Sequence, residues 1–132
     1  MKIDFYNLDK LPFESGLVRI LDKAYAAGNR ILIKTSATAS LERLLWEQEP
    51  NSWLPHGTDN PEQQPIFIST DAENKNDAQV LILLNENILP PEEGYERCLY
   101  VFDGRNAKVR EEARAIYKQC LDKKYELQYH NL

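Results

Sequence analysis

The apolar positions change period several times along the chain, and each change predicts an element. From Lys2 to Leu8 the apolar Ile3, Phe5 and in part Tyr6 alternate with polar neighbours, the period-two pattern of a strand. Leu17, Val18, Leu21, Ala24 and Tyr25 then recur at three- and four-residue steps. They predict a helix capped by Ser15 and stopped at Gly28, where a left-handed residue can close it. Arg30 to Lys34 reads as a second strand. Thr38 to Gln48 reads as a second helix, with Leu41, Leu44 and Leu45 as its buried stripe and Pro50 as its end. Four of the seven prolines, Pro50, Pro55, Pro61 and Pro65, precede the next strand-like run, Ile66-Phe67-Ile68. A connection of that length is usually functional or unstructured. Gln79 to Leu84 is a continuous apolar run, as in a strand covered on both faces, and Arg97 to Phe102 is the last predicted strand. A long helix from Asn106 to Lys124 closes the chain.

Strands alternating with helices predict a layered α/β domain with a largely parallel sheet of about five strands and a long C-terminal helix. At 132 residues the chain is expected to form a single domain, residues 1–132. Composition changes this picture little, with 42% hydrophobic and 28% charged residues and no repeat. Charge changes it more. A net charge of -5 is the wrong global sign for a domain that holds nucleic acid through its phosphates, so direct DNA binding is not expected. The N-terminus runs straight into a strand-like segment, without the pattern of a signal peptide or a membrane span, and the expected location is the cytoplasm. Cys98 and Cys120 are far apart, lie in different predicted elements and lack metal-type spacing, which predicts buried free thiols.

On the last helix, Val109, Ala113, Ile116 and Cys120 share one face and are expected to pack on the sheet. Arg110, Arg114 and Lys118 form a second stripe beside it at i, i+4 and i+8, with Tyr117 and Leu121 on the border. Like charges at that spacing weaken a helix by roughly 0.2 to 0.5 kcal/mol per pair, a mild cost that an anionic ligand would offset. Arginine forks suit a carboxylate, and Tyr117 can wall a socket for a neighbouring apolar group. Spacing alone equally fits, and more commonly means, a solvated face in which Glu111 and Asp122 neutralise Arg114 and Lys118.

A second candidate lies in and beside the proline-rich segment. Trp46 falls off the Leu41, Leu44, Leu45 stripe and needs another partner. Trp53 follows in Trp53-Leu54-Pro55-His56, and the two indoles either latch the loop internally or form an exposed interface patch. His56, with no Cys, second His or acidic motif nearby, reads as a loop residue more than a catalytic base.

Catalytic signals are weak. Lys34-Thr35-Ser36-Ala37-Thr38 lacks the glycines that let backbone amides cradle a phosphate, so no nucleotide or other cofactor site is expected. Asp71, Glu73 and Asp77 lack the glycine and terminal glutamate of a calcium loop and read as a polar turn rather than a metal site. Asp103 follows the last strand where α/β enzymes place catalytic groups, but has no evident acidic partner. The alternative to a binding protein is therefore a small α/β enzyme acting on a phosphorylated or nucleotide substrate through His56 or Asp103, and it requires a deep pocket joining them.

Leu45-Trp46 followed by Trp53-Leu54-Pro55-His56, the set Arg110, Arg114, Tyr117 and Lys118, the first strand Asp4-Phe5-Tyr6 and the turn from Gly28 to Ile33 together resemble the chi subunit family of bacterial DNA polymerase III. The resemblance implies a three-layer α/β/α, Rossmann-like domain without nucleotide chemistry. It implies a non-catalytic adaptor in DNA replication that links the clamp loader to single-stranded-DNA-binding protein. That partner ends in an acidic tail with a final phenylalanine and free carboxylate, whose site would be Arg110, Arg114, Tyr117 and Lys118. Trp46, Trp53 and His56 match a second family surface, similar to one used for the psi subunit of the clamp loader or for a helicase. DNA would be reached only indirectly, and no cofactor is implied.

Overall fold

The computed structural model describes residues 2–47, 55–91 and 93–132. In chain order the elements are β1 (Lys2–Leu8), α1 (Phe13–Ala26), β2 (Ile31–Lys34), α2 (Thr38–Glu47), β3 (His56–Gly57), β4 (Ile66–Ser69), β5 (Val80–Leu84), β6 (Arg97–Asp103), α3 (Ala107–Asp122) and β7 (Glu126–Asn131), with one 3-10 turn at Pro61–Gln63. All strands pair in parallel, in the order β3-β4-β2-β5-β6-β1-β7. Among the described residues no helix is long and apolar enough to cross a membrane.

The pleat sends alternate side chains to opposite faces, and both faces are covered, giving three layers. On one face Leu8, Ile31, Ile33, Ile66, Ile68, Ile82 and Val101 meet Leu17, Ile20 and Leu21 of α1 and Leu41 and Leu45 of α2. On the other, Ile3, Phe5, Leu81, Cys98, Tyr100 and Phe102 meet Ala113, Ile116 and Cys120 of α3. The rest of that second face is closed by the connections on either side of β5, through Ala72, Ala78, Ile88, Leu89 and Tyr95. Burial on both sides explains why β5 is apolar at every position.

Three expectations need correction. The sheet has seven strands rather than about five. Ser15 does not cap α1: the helix starts at Phe13 with Pro12 at the cap position, and Gly16 N–H already bonds Pro12 O at 3.0 Å. The chain does not close with the long helix. α3 ends at Asp122, Lys124 takes a left-handed conformation (φ 61°), and the chain re-enters the sheet as β7 beside β1. Gly28, by contrast, stands after α1 with φ 88°, as its place in the sequence predicts.

The described part of the proline-rich segment is tied down from beneath. The Arg30 side chain donates to the backbone oxygens of Asn76 (2.6 Å), Glu62 (3.0 Å) and Gln64 (3.1 Å). The buried Asn76 amide donates to Ile31 O at 2.9 Å and Gln64 O at 3.1 Å. The bonds to Asn76, Glu62 and Gln64 satisfy carbonyls of irregular backbone, and together they fix residues 61–65 against β2.

Candidate functional site

The positions of the basic stripe follow from how α3 sits on the sheet. Tyr117 reaches past the core face and meets Phe5 of β1 edge-on, with ring centroids 5.0 Å apart, and Tyr129 of β7 at 5.8 Å. Taking Tyr117 as the reference, helical steps place Arg110, Leu121, Arg114 and Lys118 at roughly 20°, 40°, 60° and 100° in one direction, while the buried Ala113, Ile116 and Cys120 lie the other way. Arg110 and Arg114 therefore overhang the β7 edge of the sheet, whereas Lys118, on the side of α3 opposite the buried residues, points to solvent. Tyr117 and Tyr129 form the floor beneath the two arginines, and Leu121, 52% exposed, lies along its side.

Each cation is held differently. Arg110 is half-buried and donates through Nη1 to Gly104 O at 3.3 Å, while its Nε is buried without a hydrogen-bond partner. Arg114 is exposed and bridges to Glu111 on the same helix at 3.2 Å. Lys118 is exposed. An exposed i, i+3 pair exchanges partners easily, so Arg114 is available to an incoming carboxylate. The arrangement is an aromatic floor with an apolar side, two guanidinium groups above it and the Lys118 ammonium further out, which can hold an acidic group beside a hydrophobic one.

Tyr129 was not among the residues singled out from the sequence. It is 43% exposed, touches both Tyr117 and Phe102, and completes the floor. The alternation of Leu127 and Tyr129 with Glu126, Gln128 and His130 was the available signal.

Across the sheet from this stripe, β7 is anchored through Asp4. Its carboxylate is fully buried and takes Arg97 Nε at 2.6 Å and His130 Nε2 at 2.9 Å, and His130 stacks on Tyr6 at 4.4 Å. Burial works to raise the Asp4 pKa, but the bonds from Arg97 and His130 outweigh it and hold the carboxyl below the ordinary range.

The second candidate surface is partly described. Trp46 is 60% exposed at the end of α2 and lies edge-on to His56 at 5.3 Å. Trp53 lies outside the described residues, and the possible tryptophan latch with it. His56 belongs to the edge strand β3 instead of a loop, in register with Ile66.

His56 and Asp103 are not brought together. Register runs His56, Ile66, Ile31, Val80, Arg97 across the sheet, four strand spacings or about 19 Å, and Asp103 lies further along β6 by about 20 Å. Asp103 instead shapes its own turn, with Oδ1 accepting Arg105 N–H at 3.0 Å. A cavity of about 300 Å³ between α1 and the β6-β1-β7 side of the sheet, and one of about 400 Å³ beside Arg30 and residues 74–77, include neither residue. Asp71 accepts Glu73 N–H at 3.0 Å and Lys75 Nζ at 3.1 Å as a polar turn, and among the described residues no group of three metal-binding side chains converges.

Comparison with known proteins places the chain in a family. A family model described as DNA polymerase III chi subunit, HolC, matches residues 1–128. A protein of Rickettsia prowazekii (strain Madrid E), named "Probable DNA polymerase III subunit chi", is 27% identical over 90 residues. The match covers 64% of this chain and 54% of the relative, so it spans about half the relative's length.

Proposed function

Because the chain belongs to the DNA polymerase III chi subunit family, a family of replication subunits, we propose that it serves as an adaptor without an active site of its own. It holds the acidic C-terminal tail of single-stranded-DNA-binding protein and links that protein to the clamp loader. Residues 1–132 act as one domain, in the cytoplasm. Arg110, Arg114 and Lys118 take the tail's carboxylates, and Tyr117 flanks its terminal phenylalanine. Trp46, Trp53 and His56 form a separate surface for the psi subunit or a helicase. DNA is reached through the partner.

The observation that carries this reading is the row of cations above a tyrosine floor on a protein of net charge -5. A solvated helix face needs no aromatic floor, whereas a peptide ending in a phenylalanine carboxylate uses both parts. Calorimetry with an acidic tail peptide tests it against the same peptide lacking its final phenylalanine. The full peptide binds, the truncated one at least tenfold more weakly, and Arg114→Ala or Lys118→Ala weakens binding severalfold. Undiminished binding in both variants removes the stripe from the mechanism.

A further inference from the structure

The two edges of the sheet are unequal. β3 offers a neighbour only two residues, the usual way a sheet blunts an edge. β7 offers six, contains no proline, and keeps unbroken register with β1 from Glu126 to Asn131. The other common protections, a lysine on the edge or a bulge that turns it away, are also missing from this strand.

The direction of its backbone groups follows from the bonds at its end. Leu132 N–H donates to Asn7 O at 2.9 Å, and Leu132 O accepts from Asp9 N–H at 3.0 Å. Those are the two bonds of a residue facing its parallel neighbour, and strand residues alternate in the side they face. Gln128 and His130 therefore face β1, while Leu127, Tyr129 and Asn131 point N–H and C=O out of the sheet. The side chains of Leu127 and Tyr129 rise on the α3 face, beneath the basic overhang.

We propose that the acidic tail peptide binds as an eighth strand on β7, pairing with the outward backbone groups of Leu127, Tyr129 and Asn131 while its side chains on the α3 face meet Tyr129, Leu121 and the Arg114 and Lys118 cations. This rests on the tail-binding reading above and adds how the peptide is held. Charge complementarity selects the occupant: a strand laid outside β7 runs under the Arg110 and Arg114 guanidinium groups, with Lys118 further out on the same helix, which favours an acidic extended peptide over a neutral one. Backbone pairing supplies affinity and alternate side chains supply selectivity, as in other peptide additions to sheet edges.

The test is a series of tail peptides, each carrying a single backbone N-methyl group at successive positions, titrated against the full chain. N-methylation removes a donor and leaves every side chain in place. The expected result alternates: at least tenfold weaker binding where the amide faces β7, and within twofold of the parent at the positions between. Uniform affinity across the series overturns strand addition while leaving tail binding intact. Failure of the unmodified peptide to bind overturns both. Amide exchange gives an independent readout: saturation with the peptide slows exchange at Leu127, Tyr129 and Asn131, and unchanged rates at all three overturn the proposal.

Discussion

Three buried residues, one carboxylate and two thiols, carry consequences beyond their packing. Asp4 has no exposure, and its folded pKa is depressed by Arg97 and His130 against the opposing effect of burial. A depressed carboxylate contributes stability that is present above its unfolded value, near 3.9, and lost as pH falls through the folded value. Asp4→Asn is expected to cost about 1–3 kcal/mol at neutral pH, less than a fully buried pair because Arg97 and His130 are partly exposed. In urea titrations its deficit against the parent stays level from pH 7 to about 5 and shrinks below about 4. A deficit independent of pH would show that the substitution acts by packing. Cys98 and Cys120 form the other case. Burial pushes both thiols above their ordinary range, and only the thiolate is nucleophilic. Neither is alkylated by iodoacetamide at pH 8 in the folded chain, and both are in denaturant, which mass spectrometry reads directly. Rapid single labelling without denaturant would contradict that burial.

At the scale of elements, the expectation follows how strongly burial writes the period. β5, buried at every position, is unmistakable in sequence, and so are the faces of α2 and α3: Leu41, Leu45, Ala113, Ile116 and Cys120 are buried as their spacing implies, with Leu44 and Val109 partly so. Trp46 was placed off the α2 stripe and is exposed, but its neighbour His56 was unreadable because β3 exists only through pairing with β4. β7 escaped for a related reason. As an edge strand it is bounded by solvent on one side, its Leu127 and Tyr129 are only partly covered, and its remaining positions are polar. The stripe was therefore legible in the sequence, whereas the strand beneath it was not. Tyr129→Ala tests that strand. Edge-to-face aromatic pairs contribute about 0.5–1.5 kcal/mol, so the variant is expected to lose about 1 kcal/mol in urea melts and to bind the tail peptide more weakly, while Tyr129→Phe keeps its stability. Equal peptide affinity in the alanine variant would exclude Tyr129 from the floor.

At the scale of the molecule, the net charge of -5 and the basic stripe act in opposite directions on an acidic peptide in the proposed complex. General repulsion is screened beyond about 8 Å at physiological salt, so the local cations decide binding there. Glu111 is the acid closest to this balance, since it holds Arg114 at 3.2 Å. Exposed pairs of this kind are typically worth about 0.2–1 kcal/mol, and an incoming carboxylate has to displace Glu111 to take the arginine. Glu111→Gln is accordingly expected to tighten tail binding by about two- to fivefold at low salt, with the gain fading above about 0.5 M as screening removes the competition. Glu14→Gln, on an exposed position of α1 across the sheet, changes net charge by the same amount without touching the stripe. It should leave affinity within about 1.5-fold at 0.15 M salt. Equal tightening by the two substitutions would mean that the peptide responds to overall charge and that the Arg114 guanidinium has no particular role.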